Sequence, residues 1–453
     1  MKKLLVKPIL ALFFVASAAV LSAGSLDYLS NQNASYYFNM AGVSATDGAE
    51  IVPYNPAGTA LLGKGFYLDV ANQTLFKFYD ESEDAKLKED YKQREPTLFL
   101  PSLAAVYNFG KMGAGNLSVY LNGGICAGGG SLKWSDGTVG TNAYPAEIAK
   151  QVSSGPPPIP TSPAAGSSSS LEASSVYYGL GVGVGYSFLD DMLSASAGVR
   201  YVMANRTGAI DTSMNFNTPA IGGLWTLDVN YEYTYSARGF TPIFGFDARP
   251  IKGLTLGLRY EMETELEFEY DTDSISATVS NPLVNSVATG LKKKLDKDGD
   301  KENQNLPHVI SFGAEYDFTP KFTMNFQTTV YMMNLADLNG VEDDYNTGYE
   351  VALSGRYAFT EKLLCGGSVM YTESGAKDSL YESGDLLTVS ANPPLDSLMF
   401  GLGVKYMVIK NLNVLLSGSY VDYLKKDVTT DAGLEITYKK QVFNMGLGVS
   451  YMF

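Results

Sequence analysis

The sequence predicts an all-β fold, a transmembrane antiparallel β-barrel of about 14 strands with an N-terminal plug in its lumen. Large apolar residues alternate with small or polar ones along most of the chain, and the chain begins with an export signal. The aromatic residues are mostly Tyr (31) and Phe (22), with 2 Trp and 46 glycines beside them. A soluble sheet would carry many Lys and Glu on its polar face. Here that face is mostly Gly, Ser, Thr and Asn, which suits the inside of a barrel.

Residues 1–23 are typical of an export signal peptide. Lys2, Lys3 and Lys7 form a basic start, an apolar stretch covers about residues 9–21, and small residues follow. We expect cleavage after Ala23. No later segment has the roughly 18 apolar residues that a membrane-spanning helix needs. The exported chain is therefore expected to enter the outer membrane of a diderm bacterium as a multi-pass barrel, in contact with outer-membrane lipid.

Residues 24–62 do not alternate and are rich in small residues, turns and Pro. This segment precedes the first strand and is too long for a simple tail. We therefore expect it to fold inside the barrel as a plug. The barrel itself is expected to cover residues 63–453.

The alternation divides the barrel region into strands. In "VYYGLGVGVGYSFL" every second residue from Tyr178 to Phe188 is apolar, and the residues between them are Gly or Ser. The same pattern continues to the last residue, Phe453, so the final segment is predicted to be the closing strand. A terminal aromatic residue behind an alternating strand resembles the signal read by the outer-membrane barrel-assembly machinery, which is the expected partner of this strand. The predicted strand cores are 65–79, 97–109, 115–129, 172–188, 192–210, 225–249, 254–271, 307–318, 321–334, 346–359, 362–374, 396–408, 411–425 and 434–453.

Two long inserts, 130–171 and 272–306, are expected outside the cell, with the short turns at the periplasmic end. The first contains "SGPPPIPTSPAAGSSSS" and is predicted to be an exposed, mobile loop without a core of its own. The second contains a helical stripe that includes Leu283, Val287 and Leu291. The stripe is either a docking surface for an apolar ligand or the packed face of a helix that caps the barrel rim.

The chain resembles the FadL/TodX family of outer-membrane transporters for long-chain fatty acids and other hydrophobic compounds. The most specific match is the Asn55-Pro56-Ala57-Gly58 motif that ends the plug region. Leu306-Pro307 resembles the Leu-Pro strand opening that follows the family's long fourth outer loop, and the terminal Phe453 also agrees. The resemblance covers the mature chain and is weak in the outer loops.

The resemblance implies passive uptake of a hydrophobic small molecule. In the family the ligand lodges between the outer loops, moves to a pocket in the lumen and leaves sideways through a kinked third strand. The matching stretch here is "SVYLNGGICAGGG", in which Asn122, Gly123 and Gly124 are the predicted lateral gate. Glycine inside a strand is compatible with a bend. A general porin and a surface adhesin remain alternatives.

A carboxylate head group would require an inward-facing cation. Parity along the strands places Arg200, Arg206, Arg356 and Lys405 on the inner face, and Arg206 lies near the family's head-group arginine. These four cations are predicted either to bind ligand or to brace the barrel through ion pairs with inward acids. Phe38 and Met40 of the plug are predicted to line the ligand pocket.

A row of carboxylates argues against a simple fatty-acid carrier. In "RYEMETELEFEYD" the alternate residues from Glu261 to Glu269 are all Glu and are predicted to share one face. Neighbouring like charges repel, so the row must be solvated or countered by cations. A row that lined the route of the ligand would favour uncharged hydrocarbons or protonated acids.

The sequence offers few candidate catalytic residues. His308 is the one histidine, and Cys126 and Cys365 are isolated within strand-like segments, where free thiols are the simpler expectation. "GLGVGVGYS" lies within a strand and is not a nucleotide loop, and "DKDGDKE" has its glycine misplaced for a calcium loop. We therefore expect no enzyme activity, cofactor, metal or nucleic-acid partner, and a monomeric protein.

Overall fold

The computed structural model describes residue 29 and residues 33–83, 90–154, 159–431 and 433–453. The predicted export signal at residues 1–23 lies outside the described residues. Within the described part of the chain, nineteen strands form one antiparallel sheet that closes on itself. No helix in these ranges is both long and apolar enough to cross a membrane.

Fourteen of the strands form the closed wall, because each of them pairs with a wall strand on both sides. They are β1 (Gly65–Glu83), β3 (Thr97–Met112), β4 (Gly115–Trp134), β6 (Ser168–Phe188), β7 (Leu193–Thr218), β8 (Gly223–Ile251), β9 (Leu254–Glu261), β12 (Val309–Thr319), β13 (Phe322–Tyr331), β14 (Gly348–Ala358), β15 (Leu363–Glu373), β16 (Ser397–Ile409), β17 (Leu412–Tyr423) and β19 (Glu435–Met452). The other five extend the hairpins at the end of the barrel that carries the long loops: β2 (Asp90–Gln93), β5 (Ser162–Pro163), β10 (Glu267–Val279), β11 (Lys301–Asn303) and β18 (Lys426–Thr429). The strand number and the antiparallel order predicted from the alternation are confirmed.

The last strand closes the barrel against the first. Their ladder runs from Tyr67 opposite Met452 to Glu83 opposite Ile436. The terminal residue is also held, because the N–H of Phe453 donates to the carbonyl of Phe66 at 2.8 Å and the two rings lie 5.5 Å apart. The alternation reaches the end of the chain because the last strand is part of the wall.

Outward positions of the wall are apolar. Leu180, Val182 and Val184 on β6 are each about half exposed, whereas inward positions such as Ser194 and Ser417 are buried by the contents of the lumen. An exposed apolar band of this size needs an apolar environment around it. The period-two pattern therefore gives the wall an apolar outer face and an inner face of small or polar residues.

Within the described ranges, five helices lie in the N-terminal segment and in the loops. They are α1 (Ala34–Phe38), α2 (Val139–Ser154), α3 (Asn285–Leu295), α4 (Asp378–Glu382) and α5 (Leu386–Ala391). The helices α2 to α5 belong to the long loops and roof one end of the barrel, which we call the long-loop end. The short turns lie at the opposite, short-turn end.

The first long loop is more ordered than its composition predicts. Strand β4 continues to Trp134 and β6 begins at Ser168, so the insert is shorter than 130–171, and residues 155–158 lie outside the described ranges. Helix α2 is anchored to α5, because the N–H of Gly140 donates to Oγ of Ser390 at 3.2 Å and Ile148 is buried. The prediction of a loop without packing was wrong because apolar residues ahead of the Pro-rich stretch bury themselves against the other loops.

The second long loop buries most of its helical stripe. Leu291 is 6% exposed and Val287 is partly buried on α3, whereas Leu283, ahead of the helix, is 70% exposed. The helix therefore packs on the barrel end, as the rim-capping alternative requires. In this arrangement Leu291 covers apolar residues beneath it, which burial favours, and only Leu283 of the three predicted docking residues is exposed to a ligand. The docking alternative stays a prediction.

The predicted row of glutamates does not share one face. Strand β9 ends at Glu261, which faces the lumen, and β10 begins at Glu267, which is exposed and pairs with Lys301 at 2.8 Å. Residues 262–266 leave the ladder, and Leu266 and Phe268 then take the inward positions. Beyond the break, the odd-numbered positions that faced the lumen face outward instead. Glu261 therefore faces the lumen, whereas Glu267 and Glu269 are exposed to solvent.

Candidate functional site

The N-terminal segment, residues 33–62, lies against the inner faces of strands all around the barrel. Asn55 holds it to β8: its Nδ2 donates to Oδ1 of Asp247 at 2.7 Å, and its Oδ1 accepts from the N–H of Ala57 at 3.2 Å. Pro56 begins a 3-10 turn, and Gly58 approaches so closely that a Cβ there would lie 2.8 Å from the carbonyl oxygen of Ala45. The Asn-Pro-Ala-Gly motif thus caps a turn and docks it on the wall.

Phe38 and Met40 pack the segment against the wall in the half of the barrel nearer the short turns. Phe38 lies over Gly366, where a Cβ would come within 2.7 Å of its ring, and Met40 is fully buried beside Gly401. Glycine on the inner face therefore makes room for the segment. Phe38 also lines a small cavity together with Arg356 and Lys405. The structure shows both residues packing the segment on the wall, and their role in ligand binding stays a prediction.

Two of the four predicted cations tie the segment to the wall. Arg356 pairs with Asp47 of the segment at 2.8 Å and with Glu315 of β12 at 2.6 Å. Lys405 pairs with Glu50 of the segment at 2.5 Å. For these two residues the structure supports the bracing alternative. Buried pairs of this kind are costly to break because the remaining charge loses its partner.

Arg200 is also paired, within the wall itself. Its Nη2 lies 2.5 Å from Oε2 of Glu261, and Nη2 of Arg259 lies 2.5 Å from Oε1 of the same carboxylate. Arg200 and Arg259 therefore share one acid on the inner face between β7 and β9. This grouping supports a bracing role for Arg200 and leaves the group with a net charge of about +1.

Arg206 differs from the other three because it has no acidic partner among the described residues. It is 2% exposed, its Nη2 donates to the hydroxyl of Tyr177, and its Nε and Nη1 have no partner in the part of the chain that the structure describes. Its guanidinium lies 4.4 Å from the centroid of the Phe268 ring. A desolvated cation over aromatic rings is stabilised by the ring quadrupoles, and its free N–H groups remain available to an anion.

Aromatic rings surround this arginine and form what we call the aromatic cluster. The rings of Tyr233 and Tyr235 are stacked with centroids 5.2 Å apart, and Tyr235 meets Phe268 edge to face at 6.1 Å. Leu291 of α3 and Ile148 of α2 pack on the same cluster from the long-loop end. The cluster is Tyr177, Tyr231, Tyr233, Tyr235 and Phe268. It combines a large apolar surface with one unsatisfied cation, under a roof of loop helices.

The wall has an irregular stretch between β3 and β4. Their ladder ends with Ser102 opposite Gly124, although β3 begins five residues earlier at Thr97 and β4 continues to Trp134. Beyond Gly124 strand β4 pairs with β6 through two register shifts, and Gly128 and Gly130 have φ of +95° and +72°. Their left-handed backbone favours glycine. We call the unpaired stretch between β3 and β4 the wall opening; it follows directly after the predicted gate residues Asn122, Gly123 and Gly124.

A cavity of about 50 Å³ adjoins the wall opening. Gly123, Gly124 and Asn122 line it, together with Pro56 of the N-terminal segment and Arg200. The outward-facing Leu103, Val182 and Val199 also reach it, so the residues around this cavity come from both faces of the wall. The three gate residues predicted from the sequence thus line a small cavity beside the wall opening.

Lys77 holds the bulged part of β4 in place. This lysine of β1 is 3% exposed, and its Nζ donates to the carbonyl of Gly129 at 2.8 Å and to that of Ser131 at 2.5 Å. The ammonium group supplies donors for carbonyls that the interrupted ladder leaves without β3 partners. Lys77 therefore fixes the upper edge of the wall opening.

We expect Lys77→Met to loosen residues 128–131, because Met keeps the apolar stem and removes two charge-assisted hydrogen bonds worth about 1.5–3 kcal/mol each. Amide hydrogen exchange should rise in peptides from this part of β4 and stay constant in β6. Lys133→Met, at an exposed site on β4 close to the bulge, is the matched control. Equal exchange in Lys77→Met and the parent protein would show that Lys77 does not hold the bulge.

Reasoning from sequence missed Lys77, Arg259 and the aromatic cluster. Parity was an available signal for the first two, since Arg259 alternates with Leu258 and Tyr260 on β9 and Lys77 alternates with Phe76 and Phe78 on β1. The cluster draws its rings from β6, β8 and β10, and no local pattern brings those strands together. Cys126 and Cys365 are both free thiols.

Neither a protein-family model nor a curated protein matches this sequence. Solved structures match its fold. A FadL homologue of Pseudomonas aeruginosa is 14% identical with a TM-score of 0.66, covering 95% of this chain and 99% of that one. The P. putida toluene transporter TodX is 10% identical with a TM-score of 0.60, covering 94% and 99%. The Ralstonia pickettii toluene transporter TbuX is 13% identical with a TM-score of 0.56, covering 94% and 100%. The fold of this chain is therefore that of the FadL/TodX-type transporters, which agrees with the resemblance seen in the sequence.

Proposed function

We propose that this protein is an outer-membrane transporter that takes up hydrophobic molecules and releases them sideways into the membrane. The observation that carries the proposal is the wall opening between β3 and β4, adjoining a cavity, in a barrel whose short-turn half is occupied by residues 33–62. A molecule in such a lumen meets the opening before it meets the other end. The N-terminal segment then acts as a plug.

The aromatic cluster is the proposed binding site. Its rings offer apolar contact, and Arg206 offers free N–H groups, so the favoured ligand is an apolar molecule with a carboxylate, such as a long-chain fatty acid. At about 0.8 kcal/mol per buried methylene, a chain of about fourteen carbons contributes on the order of 10 kcal/mol. Helices α2 and α3 cover the cluster, so we propose that they move to admit ligand from outside the cell.

The similar solved structures are described as transporters of hydrophobic compounds or as a homologue of one, but their named ligand is uncharged. Two of the similar solved structures are described as toluene transporters and one as a FadL homologue. Toluene carries no charge, whereas Arg206 here is a buried cation without an acid partner among the described residues. This difference is why we propose a carboxylated ligand over a neutral hydrocarbon for the present chain.

The function is tested with purified protein in vesicles whose outer leaflet is lipopolysaccharide, which slows spontaneous insertion of apolar probes. We expect labelled dodecanoate and dodecane to enter the bilayer faster with the protein than without it, and planar bilayers containing it to show almost no steady ion current. A general porin would instead conduct steadily and leave both probes unaccelerated. That outcome would replace the proposal with diffusion of polar solutes.

A further inference from the structure

The cavity beside the wall opening is lined by polar groups that lack partners. Arg200 and Arg259 each have an Nε without a hydrogen-bond acceptor among the described residues, and the hydroxyl of Tyr120 is likewise unpaired. Arg259 is 4% exposed and Tyr120 7%, so water does not readily serve these groups. A buried N–H or O–H group without a hydrogen-bond acceptor costs free energy, and a ligand with acceptor oxygens would recover that free energy.

The net positive charge around this cavity also favours the binding of an anion. Both guanidinium groups lie 2.5 Å from the single carboxylate of Glu261. A buried cation in excess of its counterions is unfavourable, and an anionic group offsets that cost. The cavity of about 50 Å³ has room for about three waters or one carboxylate group.

The cavity and the aromatic cluster are both reached by arginines of one strand, β7. Arg200 and Arg206 face the lumen from the same strand, six residues apart, which corresponds to about 20 Å along β7. Arg206 lies under the loop helices, and Arg200 lies beside Gly123 and Gly124. An acid leaving the cluster would therefore bring its head group past Arg200 while its tail enters the opening.

We propose that Arg200, Arg259 and Tyr120 form a second carboxylate-binding site that holds the head group of an acid while its tail passes through the wall opening. This inference rests on the function proposed above. The two guanidinium groups and the hydroxyl supply donors from three strands, β7, β9 and β4, around one small cavity. The site makes release selective for acids, because a neutral hydrocarbon gains nothing from it.

The test compares release of dodecanoate and dodecane from the protein in lipopolysaccharide-coated vesicles. In Arg259→Gln the Arg200–Glu261 pair remains as a neutral unit, which keeps the wall satisfied. We expect the ratio of dodecanoate transfer to dodecane transfer to fall about tenfold. Tyr120→Phe should lower the same ratio less. Arg238→Gln, at an exposed site on β8, is the matched control and should leave the ratio unchanged.

The outcomes separate this inference from the proposed function. An unchanged ratio in a folded Arg259→Gln barrel, with folding judged by heat-dependent gel migration, would overturn the second site. An equal loss for both probes would also overturn it, because it would assign Arg259 a purely structural role. Transfer of dodecane but not of dodecanoate by the parent protein would overturn the site and leave hydrophobic uptake standing. Transfer of neither probe would overturn the proposed function itself.

Discussion

Gly123→Trp is expected to reduce transfer of both dodecanoate and dodecane at least about tenfold, an added barrier of about 1.4 kcal/mol or more. Gly123 lines the cavity at the wall opening, and a Cβ there would meet only Cδ1 of Leu180 at 3.7 Å and the carbonyl oxygen of Gly179 at 3.9 Å. Gly123 follows Val119 and Leu121 on the outward face of β4, so the indole can be accommodated and would cover the outer mouth of the wall opening. Transfer into vesicles measures the effect, and ligand binding should persist because the aromatic cluster is untouched.

Gly124 is unsuitable for the same experiment. It has φ of +153°, and a Cβ there would lie 2.7 Å from the carbonyl oxygen of Pro101 on β3, so substitution would disturb the ladder itself. The matched control for Gly123→Trp is Gly355→Trp, on the outward face of β14, where a Cβ would meet only the Phe322 ring at 3.6 Å. Normal transfer by an inserted Gly123→Trp barrel would exclude the wall opening as the route.

Arg206→Gln is expected to weaken binding of dodecanoate relative to dodecanol by about tenfold to a hundredfold. The substitution removes a charge-assisted hydrogen bond to the carboxylate, worth about 1.5–3 kcal/mol. The apolar contacts of the aromatic cluster are kept, so the neutral alcohol loses little. Equilibrium binding of the two radiolabelled probes to detergent-solubilised protein gives both affinities under one condition.

Arg238→Gln controls for a general loss of positive charge, since Arg238 is exposed on β8 close in sequence to Tyr235. A loss of the same size for the acid and the alcohol in Arg206→Gln would mean that Arg206 only packs the cluster. Such a result would shift the proposed ligand toward neutral hydrocarbons. It would leave the wall opening and sideways release untouched.

The wall of this barrel follows from the sequence because its physics is local. Each strand must turn apolar residues outward at a period of two, so at β6 and β19 the pattern marks the strand within a few residues of its observed ends. At β7 and β9, where the strands enter the loop region, the predicted ends are eight and ten residues away from the observed ones. Glycine content alone was less informative, because glycine is common throughout these strands, and it was the resemblance to the family that singled out Asn122, Gly123 and Gly124. The stretch that contains Gly123 and Gly124 coincides with the end of the β3–β4 ladder, because glycine tolerates the bulges that follow.

The site was only partly predictable because it depends on distant partners. Parity correctly placed Arg200, Arg356 and Lys405 inside, yet each finds an acid from another element, which no local pattern shows. The sequence around Glu263 contains no Gly or Pro to signal that the strand leaves its ladder there. The reversal of parity is imposed by tertiary contacts instead, such as the bridge between Thr264 and Leu306.

The most direct test of sideways release is photo-crosslinking with an alkyl carboxylate that carries a diazirine near its tail. Irradiation during transport should label peptides of the aromatic cluster first and then those containing Leu103 and Ile125 at the wall opening. In Gly123→Trp the first set should remain and the second should disappear. Label that moves from the cluster to α1 in the short-turn half, with none on β3 or β4, would contradict the account.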